Sequence, residues 1–127
     1  MKRISFNPKF VNKAGNDLVP GKIHTIRQNY SFWKQYEGKE VALYTWEGKP
    51  YRSKQKVFCI KRIVSVQEFE LKKQMCFWFV HEGVNIKMAN KLLSVNDGFN
   101  DITEFYTWFA DYKPGKMAIL HFTDFRY

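Results

Sequence analysis

The polar side chains best suited to carry chemistry lie in one short segment near the start of the chain. Lys22, His24, Thr25 and Arg27 follow the turn signal Pro20-Gly21, on a stretch rich in β-branched residues. A lysine that loses its proton on burial can act as a base toward a nearby hydroxyl, which can then attack an acyl carbon. The alternative is structural: Thr25 pairs within a sheet while Lys22 and Arg27 point into solvent.

Asp97 is the second candidate for a functional side chain. It lies in Asn96-Asp97-Gly98-Phe99, between two predicted helices. A loop between helices can present a carboxylate to a cleft. Asp and Asn before Gly are also typical of turns, so Asp97 alternatively serves only to end a helix. The sequence leaves both interpretations open.

The sequence lacks the strong motifs of metal and cofactor sites. It has no glycine-rich phosphate loop, no paired-cysteine spacing and no His-Glu-x-x-His. Its three histidines, His24, His81 and His121, are far apart, so a zinc site built from them is the weaker alternative. Cys59 and Cys76 are too few for a disulfide framework, and we expect both to be reduced. We therefore expect neither a metal nor a cofactor.

Charge and aromatic content indicate the class of partner. The 127 residues carry a net charge of +9, and 18% are Phe, Tyr or Trp. Basic residues are frequent over 49–73; Tyr44 and Trp46 come just before this stretch, and Tyr51 lies among the first basic residues. Such a surface can follow a phosphate backbone and stack bases. The composition thus suggests a nucleic-acid or nucleotide partner, and it leaves open the alternative of a β-rich core under a charged, solubilised sheet face.

Length and hydropathy restrict the architecture. A chain of 127 residues, 45% of them hydrophobic, is long enough to bury a core and excludes a disordered tail. We expect one domain over 1–127. No apolar run reaches the ~18 residues that span a bilayer, and the first residues do not form a signal peptide. The sequence therefore predicts a cytoplasmic protein with no membrane contact.

The hydrophobic pattern predicts mostly strands, with helices late in the chain. Alternation and β-branched content predict strands over 3–6, 22–27, 41–46, 56–71, 75–80 and 116–125, the fourth being one long curved strand with a bulge. A helical turn is predicted over 9–14, a helix over 86–95, and a second helix capped by Asp101 with Glu104. The fold class is α+β: a small mixed or antiparallel β-barrel of about five or six strands with two or three helices.

These residues together resemble a known family. After a glycine turn, Lys22-x-x-Thr25-x-Arg27 is similar to Gly-x-Lys-x-x-(Glu or Thr)-x-Arg, the signature of the ASCH domain. The late segment fits too: Asp97-Gly98-Phe99, an amphipathic helix through Trp108-Phe109, and a closing strand with His121-Phe122-Thr123. The resemblance implies a PUA-like barrel that binds RNA or a nucleotide base in a cleft beside it. Lys22, His24, Arg27, Trp33 and Trp46 would line or border that cleft.

One branch of the family implies an enzymatic alternative. Its members are amidohydrolases that remove the acetyl group of 4-N-acetylcytidine with a Thr nucleophile, a Lys that activates it and a Glu that assists. By resemblance, Lys22 and Thr25 match the first two positions, and Asp97 stands close to the third. We place binding first and hydrolysis second. The third hypothesis is a structural domain whose aromatic residues are only core.

Overall fold

The computed structural model describes residues 1–11, 21–72, 76–81, 84–87, 90–113 and 115–127. They form an α+β fold with two β-sheets. The strands are β1 (Lys2–Ser5), β2 (His24–Gln28), β3 (Glu40–Trp46), β4 (Gln55–Arg62), β5 (Ser65–Lys72), β6 (Cys76–His81), β7 (Val84–Lys87) and β8 (Gly115–His121). The helices are a 3₁₀ helix (Pro8–Phe10), α1 (Tyr30–Lys34), α2 (Asn90–Asn96) and α3 (Ile102–Phe109).

The smaller sheet has the order β1-β3-β4. β1 runs parallel to β3, and β3 runs antiparallel to β4. The register between β3 and β4 shifts at Leu43/Tyr44, which places a bulge beside the turn that joins them. A bulge increases the local twist and redirects the strand end.

The larger sheet has the order β2-β8-β5-β6-β7, and all of its pairings are antiparallel. Strand β8 lies between β2 and β5 and is buried from Met117 to His121. A strand with neighbours on both sides has its whole backbone hydrogen bonded within the sheet. This makes β8 a firm support for β2, the strand that carries His24, Thr25 and Arg27.

The long strand predicted over 56–71 is two strands that belong to different sheets. The break is at Ile63-Val64: the Ile63 N–H donates to Lys39 O beside the smaller sheet, and the Val64 N–H donates to His121 O in the larger one. Ile63 is fully buried, so the corner is held from inside. The alternating pattern continues through the corner, which is why the sequence does not reveal it.

The structure also differs from the sequence-based prediction at two helices. The helix predicted over 86–95 is strand β7 followed by the shorter α2, because the β-branched residues Val84 and Ile86 favour pairing with β6. Helix α1 was not predicted. It is only five residues long and depends on one cap, the Asn29 side chain, which accepts a hydrogen bond from the Phe32 N–H.

The barrel expected from the sequence is not seen in the described part of the chain. There the strands form two open sheets, and no ladder of hydrogen bonds joins them into a closed barrel. One core nevertheless serves both sheets. It contains Ile4, Val41 and Leu43 from the smaller sheet, Ile26, Val66, Phe69 and Met117–Leu120 from the larger sheet, and Leu93, Phe99, Phe105 and Phe109 from the helical segment.

Candidate functional site

A cleft of about 420 Å³ lies where the ends of β1 and β3, the start of β2 and the helical segment meet. Its walls are largely aromatic and its floor is polar. The lining residues are Ser5, Phe6, Asn7, Pro8, Phe10, Lys22, Thr25, Ile26, Arg27, Thr45, Trp46, Gly48, Pro50, Tyr51, Asp97, Phe99, Trp108, Phe109 and Tyr112. The cleft therefore combines apolar walls with a few polar groups, as small-molecule sites usually do.

A buried ion pair between Lys22 and Asp97 forms the floor. Lys22 Nζ donates to Asp97 Oδ1 at 2.8 Å and to the Asp97 backbone oxygen at 2.8 Å. Both side chains are almost completely buried. The ammonium also lies 4.5 Å from the centre of the Phe10 ring. Because buried charges are expensive unless they are paired, the pair ties the start of β2 firmly to the loop after α2.

The backbone after α2 fixes the position of Asp97. The Phe99 N–H donates to Ser94 O and the Gly98 N–H to Val95 O, the two hydrogen bonds of a Schellman motif. Asp97 is thus the C-cap residue of α2, and Gly98 follows it with φ +91°. Asp97 therefore ends a helix and also presents its carboxylate to the cleft, so both interpretations of the sequence apply at once.

Gly98 is required by its backbone conformation and by the space around it. A Cβ at this position would lie 3.0 Å from Lys22 Cβ and 3.2 Å from Phe10 Cδ1. We expect Gly98→Ala to lower the free energy of unfolding in urea, because both strain and the displaced Lys22 act against the fold. Gly38→Ala is the matched control, with φ +83° and open space around it. Equal losses in the two variants would show that the contact with Lys22 contributes nothing.

A chain of buried hydrogen bonds supports Asp97 from behind. His24 Nδ1 lies 3.2 Å from Asp97 Oδ1, and His24 Nε2 lies 2.6 Å from the Tyr127 hydroxyl. An ionised carboxylate only accepts hydrogen bonds, so Nδ1 carries the proton and Nε2 accepts from Tyr127. The Asn96 side-chain amide donates to the same hydroxyl at 3.1 Å. These bonds set the tautomer of His24 and the orientation of the carboxylate.

The site's ionisation follows from burial and from these contacts. Burial lowers the pKa of the Lys22 amine, and Asp97 offsets only part of that effect. Burial alone would raise the pKa of Asp97, but the Lys22 charge and the His24 hydrogen bond outweigh it and hold that pKa below its ordinary value. Burial also lowers the pKa of His24, so its ring is neutral. Asp97 is therefore the stable anion of the cluster.

Thr25 and Arg27 lie two residues apart on β2 and both line the cleft. Thr25 is buried, and its hydroxyl forms no hydrogen bond with Lys22 in the structure as described. The Arg27 guanidinium donates to Ser5 O at 2.6 Å and lies 5.3 Å from the centre of the Phe6 ring. Its Nε and the Thr45 hydroxyl are buried without a hydrogen-bond partner among the described residues. The wall near Arg27 thus retains hydrogen-bonding capacity.

The structure brings most of the predicted site residues together. Lys22, Thr25, Arg27, Trp46 and Asp97 all line the cleft. His24 is not among the lining residues and instead contacts Asp97 from behind. Trp33 lies on α1, where its ring packs against Phe32 and Tyr36, away from the described cleft wall.

Sequence reasoning missed two participants. Tyr127 is distant from every motif, and only the fold places its hydroxyl against His24. Thr45 follows a strand pattern that predicts pairing and gives no sign of a site. Residue type alone carried no signal for either one.

Two further observations concern metals and membranes. Within the described ranges, no three His, Cys, Asp or Glu side chains are grouped as metal ligands; the His24 and His121 rings lie 5.5 Å apart. None of the helices in those ranges combines the length and the apolar character that a membrane crossing requires.

Comparison of the chain with family models, with curated proteins and with solved structures returns no match. Function is therefore inferred from the cleft and its chemistry.

Proposed function

We propose that this protein binds a nucleobase, as part of RNA or as a modified nucleoside, in the cleft above the Lys22–Asp97 pair. The observation that carries the proposal is the combination of aromatic walls with a buried, hydrogen-bonding floor. A nucleobase has two flat faces for stacking and an edge of donors and acceptors. The PUA-like relationship implied by the sequence motif would give the same function.

The aromatic walls offer stacking surfaces at the mouth of the cleft. Trp46 and Tyr51 stand on one side, with ring centres 5.3 Å apart. Phe10, Phe99 and Trp108 form a mutually contacting cluster that also lines the cleft. Stacking on aromatic side chains is worth about 1–3 kcal/mol per base. The walls can therefore supply much of the affinity without sequence selection.

The polar floor of the cleft would discriminate between different bases. Asp97 Oδ1 is occupied by Lys22 and His24, whereas Oδ2 accepts no hydrogen bond from any residue that the structure describes. A carboxylate oxygen accepts from an exocyclic amino group, as Asp and Glu do with cytosine. Lys22 and Arg27 are donors for ring nitrogens and carbonyl oxygens. This arrangement favours a base that bears an amino or acylamino group, such as cytosine, over uracil.

Calorimetric titration with cytidine and uridine tests the proposal. We expect cytidine to bind more tightly than uridine, and Trp46→Ala to weaken cytidine binding about tenfold or more, the value of one stacking contact. Trp33→Ala removes the same side chain outside the cleft and should leave the affinity unchanged. Absence of cytidine binding to the folded protein, or equal losses in the two variants, would contradict the proposal.

A second function, hydrolysis of an acylated amino group on such a base, is favoured by the geometry of Lys22. Lys22 pairs with Asp97 as an ammonium and directs two of its N–H groups to that residue. If the amine loses its third proton, those two N–H groups remain on Asp97 and the nitrogen gains a lone pair. The lone pair is then left for another proton. Burial lowers the pKa of this amine, which favours the neutral form. Because Thr25 is not hydrogen bonded to Lys22, we rank hydrolysis below binding.

The reaction balances with the residues present. The Thr25 oxygen would bond to the acyl carbon while the Lys22 amine takes the hydroxyl proton. The carbon–nitrogen bond then breaks, and that proton passes to the departing amino group. Water would hydrolyse the acyl–Thr25 ester and release the acid. Release of cytidine from 4-N-acetylcytidine by the purified protein tests this function, and no release under conditions where the nucleoside binds would exclude it.

A further inference from the structure

The turn between β3 and β4, residues 47–54, is a rigid projection at the edge of the cleft. The Glu47 N–H donates to Lys54 O at 2.9 Å, which closes the turn at its base. The Ser53 hydroxyl accepts from the Gly48 N–H and donates to Lys49 O, both at 2.9 Å, which closes it again near the tip. These hydrogen bonds fix the backbone of the turn from its base to its tip.

Tyr51 at the tip of this turn is exposed and strained. Its exposed fraction is 89%, the highest of the large hydrophobic side chains described. Its backbone has φ +64°, a left-handed conformation that is costly for a residue with a side chain. Neither feature stabilises the free protein. The strained backbone that holds this exposed ring points to a role in binding.

The ring of Tyr51 extends the aromatic wall outward. It lies 5.3 Å from the Trp46 ring, and both residues line the cleft. A base bound against Trp46 would place the next base of a strand within reach of Tyr51. The turn thus provides a second stacking position, one that a single nucleoside in the cleft does not need.

The same turn is positively charged. Lys49, Arg52 and Lys54 are exposed, against one carboxylate, Glu47. None of the three cations forms an ion pair with a carboxylate of the described residues. Unpaired cations beside a stacking surface fit the phosphates of a nucleic-acid strand.

We infer that the ligand is a single-stranded nucleic acid, with one base in the cleft, the neighbouring base on Tyr51, and the phosphates beside it held by Lys49, Arg52 and Lys54. This inference rests on the proposed binding function and goes further, because it assigns a polymer and a second nucleotide position. The turn makes the protein prefer a strand over a free nucleoside.

The test compares cytidine with a cytidine hexanucleotide of RNA, each titrated at several salt concentrations. The wild-type protein should bind the hexanucleotide more tightly. Tyr51→Ala should weaken hexanucleotide binding about tenfold more than it weakens cytidine binding, because only the hexanucleotide places a second base on this ring. Tyr51→Phe, which keeps a stacking ring, should bind like wild type. Thermal unfolding of each variant confirms that it is folded.

A second experiment tests the three basic residues of the turn with two triple variants of equal net charge. Replacing Lys49, Arg52 and Lys54 with Gln should reduce the slope of log affinity against log salt by about 0.7 for each phosphate that the variant no longer neutralises. The control replaces Lys34, Lys39 and Lys116, which lie outside the turn, and should keep the slope. Cytidine binding with no Tyr51 effect on the hexanucleotide would overturn this inference alone. Failure of both ligands to bind would overturn the proposed function as well.

Discussion

Replacing Asp97 with Asn is expected to lower the free energy of unfolding by about 3–5 kcal/mol, the cost of breaking a buried ion pair by removing one partner. Asn keeps the size of the side chain but removes the charge that compensates Lys22 Nζ, 2.8 Å away. The ammonium would then be buried without a counter-ion. Urea denaturation at neutral pH measures the loss.

The stability that the Asp97 carboxylate contributes should depend on pH. The pKa of Asp97 is lowered in the folded protein from its ordinary value of 3.8. A carboxyl with a depressed pKa contributes stability that is fully present above the unfolded-state value and is lost as the pH falls through the folded-state value. The difference between wild type and Asp97→Asn should therefore be fully present near neutral pH and shrink as the pH falls below about 5.

Two controls separate the ion pair from other effects. Asp101→Asn makes the same change at the exposed cap of α3, where Asn caps as well as Asp, and should leave stability almost unchanged. The double variant Lys22→Met, Asp97→Asn should lose less than the sum of the two single variants, because no charge then remains buried. A loss below about 1 kcal/mol in Asp97→Asn would contradict the ion pair's role.

Replacing Thr25 with Ala is expected to lower the turnover of 4-N-acetylcytidine by about 10³-fold or more if the protein is a hydrolase, the usual consequence of removing a nucleophile. Binding of the same nucleoside should stay within a few-fold of wild type, because Thr25 supplies only one hydroxyl to the floor. Turnover by the wild-type protein should rise with pH, since the reaction needs the neutral Lys22 amine, and level off above the lowered pKa of Lys22.

Thr45→Ala is the matched control for this variant. Thr45 also lines the cleft, and its hydroxyl has no hydrogen-bond partner among the residues described. We expect its removal to change turnover only a few-fold. Similar losses in the two variants, or a Thr25→Ala protein that keeps a tenth of wild-type turnover, would reject Thr25 as the nucleophile.

Local signals in the sequence predicted the parts of the fold that depend on local interactions. Asp101 with Glu104 predicts the start of α3, where the Asp101 carboxylate accepts from the Glu104 N–H. Asp97-Gly98 predicts a break, because only glycine adopts that backbone conformation cheaply. The corner at Ile63-Val64 depends on pairings with distant strands, and no local pattern encodes them.

Some residues of the site could be predicted from the sequence, whereas the contacts between them depend on the fold. Lys22, Thr25 and Arg27 are recognisable from their spacing and from the resemblance of that spacing to a motif, and all three line the cleft. Lys22 and Asp97 are 75 residues apart in sequence, so their contact is a property of the fold. Trp33 and Trp46 were both predicted to border the cleft, and nothing in the sequence distinguishes them. Of the two, Trp46 lines the cleft and Trp33 does not. The roles of these residues in binding or catalysis stay predictions.

The central claim is that a nucleobase occupies the cleft above Lys22 and Asp97. Two-dimensional NMR of the indole N–H groups tests it most directly, because each of the four tryptophans contributes one such group. Titration with cytidine should shift the Trp46 and Trp108 signals, whose rings line the cleft, and leave Trp33 unmoved. A titration that shifts Trp33 alone, or none of the tryptophan signals at millimolar cytidine, would contradict the account.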